Sequence, residues 1–185
     1  MFFSKEKGFT LIELMVVIAI IAVLAAVITP QVFRQIQKGR VSAAAAFSDA
    51  VKTSANNYFT DRSVWPGSCT PANCNTIANG FVTGGAANWD GPYLDRWPTA
   101  TGNPWGGTYT WMSATTANFG VAALPERYIT IGAVPTADAQ RLDLARDGAL
   151  GSNTGIVRAA FNPAAWPAAP NVVVWILISR DGPVS

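Results

Sequence analysis

The sequence predicts an α+β protein: one long N-terminal helix, a long irregular αβ-loop, and a small antiparallel β-sheet head. Three observations carry that expectation. Residues 9–33 are apolar enough that Glu13 is the one formally charged side chain among them. An amphipathic pattern with spacings of three and four then continues to about residue 60. After Asp61 the texture changes to Gly, Pro, Asn, Ser and Trp, and β-type runs begin only beyond residue 107. The expected division is a preface over 1–8, a helix over 9–60 that is apolar to about 33, and a head over 61–185.

The first part of the helix has the length of a membrane span. Residues 14–28 (LMVVIAIIAVLAAVI) contain no polar side chain. With 9–12 in front, the stretch reaches the roughly 20 residues that cross a bilayer. The preface MFFSKEKG carries Lys5 and Lys7, which favour the cytoplasmic side. A secretory signal would also be basic, then apolar, then cut at small residues such as Ala25 and Ala26. Glu13 is out of place in that reading. A charge within a membrane segment costs about 2.5–3.5 kcal/mol on insertion scales and marks function by default.

Pro30 removes one backbone donor and crowds the carbonyl of Ala26, so a kink or local opening is expected there. Two roles stand side by side: Pro30 marks the membrane exit, or it softens the helix. Gly39 is a weaker soft point. Beyond it Val41, Ala44, Ser48, Val51, Ala55 and Tyr58 form a stripe flanked by Phe47 and Phe59, with Lys38, Arg40, Asp49 and Lys52 off it. The stripe reads as core packing. A helix over 9–60 is about 78 Å long, and its second half forms the spine of the head.

Within the head, residues 62–105 read as loop, 108–112, 128–133 and 172–178 as strands, and 136–146 as a short helix opened by Thr136 as its cap after Pro135. The composition narrows the function. Histidine is absent, which removes Ser-His-Asp and Cys-His catalysis and most zinc sites. A net charge of +2 from 13 basic and 11 acidic residues leaves no electrostatic footprint for nucleic acid, which is not an expected partner. Charged residues make up 13% of the chain, roughly half the usual share. Asp90 and Asp95 read as solvated turn residues rather than an acid pair, and no enzyme is expected. Trp65, Trp89, Trp97 and Trp166 are candidates for a stacking surface, but aromatics beside Pro and Gly read first as loop plugs.

The N-terminal segment KGFTLIELMVVIAIIAVLAAVITP resembles the start of a type IV prepilin or a type II secretion pseudopilin. A short basic leader ending in Gly8, then Phe9, Thr10, Leu11, Ile12 and Glu13, the apolar helix and Pro30 fall in the order of that family. The resemblance implies a pilin-like fold, cleavage between Gly8 and Phe9 by a membrane aspartyl prepilin peptidase, and N-methylation of Phe9. It implies that Glu13 pairs with the Phe9 amine of a neighbouring subunit, although an intrachain pair four residues apart is also open. It assigns Pro30 to extensibility of the packed helix.

The implied partners are copies of the chain and related minor pilins in a filament, the prepilin peptidase, an inner-membrane assembly platform, an assembly ATPase acting indirectly, and membrane lipid before assembly. The implied location is the bacterial inner membrane, single-pass with the head outside the cytoplasm, and afterwards a surface pilus or a periplasmic pseudopilus. Three functions fit: a pilus subunit, a pseudopilin, or a minor tip subunit acting as an adhesin or DNA-uptake binding module.

Cys69 and Cys74 frame SCTPANC and, in an exported head, favour a disulfide, with a free thiol pair as the alternative. Many type IV pilins carry their disulfide near the C-terminus, and no cysteine follows Cys74 here. GPYL at 91–94 and NPWGGTYTW at 103–111 are similar to a segment of the major pseudopilin of type II secretion and of some pilins sharing that head; here Pro104 and Gly106–Gly107 fix a turn. Calcium sites of pseudopilins use acidic residues of a final loop. The tail offers only Asp181, so that site is not carried over. Asp143, Asp147 and Gly148 form an oxygen-rich stretch without the ligand count of an EF-hand. No cofactor is expected, with calcium the one ion weighed.

Overall fold

The computed structural model describes residues 8–76, 80–84, 88–114, 126–151, 155–159 and 169–179. Trp166 and Asp181, and the leader before Gly8, lie outside them. The architecture is α+β, in the order α1 (Leu11–Arg62), β1 (Tyr109–Ala114), β2 (Glu126–Pro135), α2 (Thr136–Asp147), β3 (Val157–Ala159) and β4 (Asn171–Ser179). Two compact units divide the chain, Met1–Gly39 and Arg40–Ser185.

In the first unit α1 exposes its side chains from Leu11 to Ile36. Its most apolar window has a mean hydropathy of 3.1 and is 0% buried. By length and composition this helix can cross a membrane. Helical structure continues without interruption through Pro30, so the local opening expected there is not a feature of the single chain. Pro30 has no N–H to offer Ala26, and the neighbouring Thr29 hydroxyl instead donates to the carbonyl of Ala25 at 2.6 Å. That satisfies one carbonyl beside the weakened turn while the backbone stays helical.

In the second unit, all six residues of the expected stripe are buried, joined by Ser54. Ser54 sits one residue before Ala55 and is tolerated because its hydroxyl, with one hydrogen to share, lies within hydrogen-bond distance of two backbone carbonyls, Ala50 at 2.8 Å and Tyr93 at 2.5 Å. The stripe packs into a core that includes Phe81, Trp97, Tyr109, Trp111, Ile129, Ile131, Leu142, Val174 and Ile176. Ser63, with φ of 56°, ends the helix as its amide bonds the Phe59 carbonyl at 2.7 Å.

The sheet is antiparallel throughout, in the order β1-β2-β4-β3. Inward residues alternate on β4 as Val172, Val174 and Ile176, all buried, as expected for a sheet covered on one face. β3 escaped the sequence reading because three residues are too short to show alternation, and all three are buried. Its start is held by Asp147, whose Oδ2 accepts the amides of Ile156 at 2.8 Å and Val157 at 3.0 Å.

The opening of α2 differs from the expectation. Pro135 occupies the cap position, and no side chain caps the helix. Thr136, expected as the cap, sits inside the first turn and donates its hydroxyl to the Ala169 carbonyl at 2.5 Å. Its oxygen thus ties the helix start to the approach of β4 instead of closing the helix end. α2 is also fixed to α1 within this unit: Arg146 bonds the Ala45 carbonyl at 2.6 Å and the Asp49 carboxylate at 2.9 Å.

Cys69 and Cys74 form a disulfide with both cysteines buried. Cys69 exchanges backbone bonds with Trp111 at 2.9 and 3.0 Å, and the Ser68 hydroxyl bonds both backbone groups of Ser113. The crosslinked loop therefore covers the open edge of β1, a place where sheets otherwise invite further pairing. Closing so short a loop stabilises by about 2 kcal/mol in the chain-entropy account. Reduction with a phosphine is expected to lower the melting temperature of the head by about 4–8 °C, read by circular dichroism of the full chain in detergent.

Burial pushes the Tyr109 phenol well above its ordinary value. The unfolded chain releases that proton near pH 10 while the folded chain holds it. Stability is therefore full below about pH 10 and falls as pH rises further. Tyr109→Phe is expected to soften this alkaline fall in urea titrations at pH 8 to 11.

Candidate functional site

The residues singled out at the N-terminus form one local structure. Gly8, Phe9 and Thr10 precede the helix and have no regular structure. Phe9 is 87% exposed, and the space around the Gly8 α-carbon is open. The Gly8–Phe9 peptide is therefore outside hydrogen-bonded helix and free of covering side chains among the described residues of its unit, as a proteolytic junction must be.

Glu13 lies at the head of α1 and bonds Thr10 reciprocally. Its Oε2 accepts from the Thr10 amide at 2.8 Å and the Thr10 hydroxyl at 2.8 Å, while the Glu13 amide donates to that hydroxyl at 3.3 Å. This is a capping box, in which a Thr and a Glu three residues later satisfy each other's backbone donors. Thr10 was not among the expected functional residues. The signal for it was present as Thr10-Leu11-Ile12-Glu13 immediately before an apolar run. The helix starts at Leu11, so Phe9 stands outside it and the spacing of a helical turn does not govern how Phe9 meets Glu13. Among the described residues, the hydrogen-bond partner of the Glu13 carboxylate is Thr10.

Phe9, just before α1, and Ile12, Glu13, Val16 and Val17 on it line one shallow groove, and Val16, Ala19, Ile20, Val23 and Leu24 line another. Apart from Glu13 these surfaces are apolar. They suit lipid tails or the apolar face of another helix, whereas water does not favour them.

In the head, the segment NPWGG is a turn built around Asn103, which is 5% exposed. Its Oδ1 accepts the amides of Trp105 at 2.9 Å and Gly107 at 2.8 Å, and its Nδ2 donates to the Gly132 carbonyl at 2.6 Å. Gly132 lies where the β2–β4 register is irregular between Ile131 and Val134. A Cβ on Gly107 would stand 2.3 Å from the Gly132 oxygen, so only glycine allows the turn to approach the strand. The Trp105 indole donates to Asp138 on α2 at 2.9 Å. Asn103→Ala removes three bonds from a buried site and is expected to cost about 2–3 kcal/mol, read from the urea midpoint.

Trp65, Trp89 and Trp97 are consumed by packing. Trp97 is 0% exposed, Trp65 stacks on Phe59 at 4.6 Å with Arg127 over its ring, and Trp89 donates to the Gly80 carbonyl at 2.8 Å. No stacking platform is formed by these three. Asp90 and Asp95 are exposed, and Asp143 accepts the Gly151 amide at 2.6 Å. Among the described residues, no group of three or more His, Cys, Asp or Glu is placed to hold a metal.

Comparison with known proteins bears on the same segments. The prokaryotic N-terminal methylation motif matches residues 3–29, and the family described as PilW, C-terminal, matches residues 35–122. The chain is 37% identical over 93 residues to a type IV major pilin protein PilE1 of Neisseria gonorrhoeae, covering 43% of this chain and 44% of that protein. It is 39% identical over 75 residues to the fimbrial protein EcpC of Eikenella corrodens, covering 40% and 49%. With a fimbrial protein of Moraxella nonliquefaciens it shares 43% identity over 83 residues, covering 44% and 51%. The chain spans about half the length of the curated relatives it matches. No solved structure matches it. The methylation motif lies over the Thr10–Glu13 cap, and the similarity to type IV pilins and fimbrial proteins accompanies a long apolar helix and a four-stranded head.

Proposed function

We propose that the chain is a structural subunit, not an enzyme, of a type IV pilus-class filament that polymerises through its N-terminal helix. One observation carries this reading: an apolar helix exposed from Leu11 to Ile36 carries a glutamate in its first turn, inside the matched methylation motif. Before assembly the helix is held in the inner membrane with the head outside the cytoplasm. The prepilin peptidase cuts between Gly8 and Phe9, and the new Phe9 amine is methylated.

Cleavage is the chemical switch. In the uncut chain the Phe9 nitrogen is a neutral amide, so a Glu13 drawn among apolar helices would be a buried charge without a cation, which is strongly destabilising. After cleavage the amine supplies the cation. A neighbouring subunit's Phe9 then meets Glu13 only when the two helices are offset by a defined amount, and the pair sets axial register. Thr10 holds the carboxylate at the helix head until that partner arrives. Copies of α1 replace lipid contacts with helix contacts, and Pro30 supplies a turn with one hydrogen bond fewer, where the packed helix yields. The platform and the assembly ATPase act on the subunit from the membrane.

A pseudopilin role is the second reading, favoured by the Asn103–Gly107 turn and its likeness to the major pseudopilin segment. A minor tip subunit is the third, although Trp65, Trp89 and Trp97 are not displayed for binding. Immunogold labelling with antibody to the head tests the choice. Label along the length of surface filaments is the expected result. Label confined to the envelope would overturn the pilus reading in favour of a pseudopilus, and label only at filament tips would make it a minor subunit.

A further inference from the structure

The far end of the apolar span carries a feature that the filament reading does not use. Glu13 and Arg34 are the charged residues that bracket the span, 21 positions apart on one unbroken helix. At 1.5 Å per residue they are separated by about 32 Å. The hydrocarbon core of a bilayer is about 30 Å thick. A helix that crosses with Glu13 at one interface therefore presents Arg34 at the other. Lys38 follows one turn later, about 6 Å further into the headgroup layer.

Arg34 and Lys38 share a helix face, and both are exposed. No acidic residue occurs between Glu13 and Asp49 to neutralise them. The ion pairs Arg141–Asp138 and Arg146–Asp49 do not involve this pair. Loss of residues 1–8 removes Lys5 and Lys7 from the opposite side. After processing, the exported flank is therefore the more basic end of the span. This is the reverse of the usual charge bias, so the two cations serve something other than topology.

We propose that Arg34 and Lys38 form a binding pair for the headgroups of anionic phospholipid in the outer leaflet of the membrane that stores the subunit. The pair fixes the depth of the helix, and with it the position of Glu13 at the opposite interface, until the subunit is drawn into a filament. The inference rests on the membrane-held stage of the proposed function. Each basic side chain near an anionic surface strengthens association about fivefold. Salt weakens that attraction because the headgroup layer is wet.

The test uses the full processed chain in phosphatidylcholine vesicles containing spin-labelled phosphatidylglycerol or spin-labelled phosphatidylcholine. The expected result is a motionally restricted lipid shell in which phosphatidylglycerol is favoured at least about fivefold. In R34Q/K38Q that preference falls to near one, while the charge-conserving R34K/K38R retains it. A wild-type preference near one, or one that persists in R34Q/K38Q, overturns the proposal. So does a double variant that keeps its lipid preference yet loses filaments, because the pair would then face a neighbouring subunit. Alkaline carbonate extraction separates this from failure of the functional reading. A chain released by carbonate has no membrane-held stage at all, whereas a retained chain without lipid preference overturns the headgroup pair alone.

Discussion

Glu13→Ala is expected to abolish filaments while leaving cleavage at Gly8–Phe9 intact. The substitution lies four residues beyond the peptide that is cut, in a segment that is open to solvent or lipid rather than packed. The membrane span remains and becomes more apolar. Assembly then buries the Phe9 amine without its anion, which costs about 3–5 kcal/mol for each subunit added. That is a penalty of roughly a hundredfold or more per addition, enough to stop growth. The variant also breaks the capping box, so Thr10→Ala is the companion. It removes the hydroxyl partner of Glu13 but keeps the carboxylate, and loss of such a cap costs only about 1 kcal/mol. Sheared filament recovered from Thr10→Ala but not from Glu13→Ala locates the effect in the carboxylate. Normal filaments from Glu13→Ala would sink the assignment.

The second large effect is expected at Trp97. Its ring is fully buried, touches Phe47 of α1 and Phe81 of the loop, and its indole donates to the Tyr109 carbonyl at 3.1 Å. The amide and carbonyl of Trp97 are both bonded by the side chain of Asn75, at 2.7 and 2.9 Å. One residue thus joins α1, the αβ-loop and β1. Trp97→Ala leaves a cavity at that junction and is expected to cost about 3–5 kcal/mol, a large fraction of the stability of a domain of this size. The variant should be processed normally at Phe9 yet accumulate as a proteolysed chain with few filaments. A urea midpoint unchanged from wild type would show that the junction is not where the head is held.

What was legible in the sequence was what is repeated along an element. The buried stripe from Val41 to Tyr58 appears in the spacing because every third or fourth residue carries the same requirement, and β4 appears because its inward positions alternate. What was not legible depends on single contacts between distant residues. The burial of Ser54 depends on the Tyr93 carbonyl, 39 positions away. The role of Asn103 depends on an irregularity at Gly132 in another strand. Asp143 and Asp147 read in the sequence as an oxygen-rich stretch, and in three dimensions they accept backbone amides from distant positions. At the N-terminus, Gly8, Phe9, Glu13 and Pro30 were read from their order, which is local, and Thr10 was missed although its capping signal was local too.

The central claim is that the apolar helix is kept in a processed subunit and that processing creates the cation for Glu13. Intact mass of the protein in filaments sheared from the cell surface tests it most directly. The account predicts the mass of a chain that starts at Phe9 and carries one methyl group. A mass that retains residues 1–8, or that corresponds to a cut after Ala26 and so lacks the apolar helix, would contradict it.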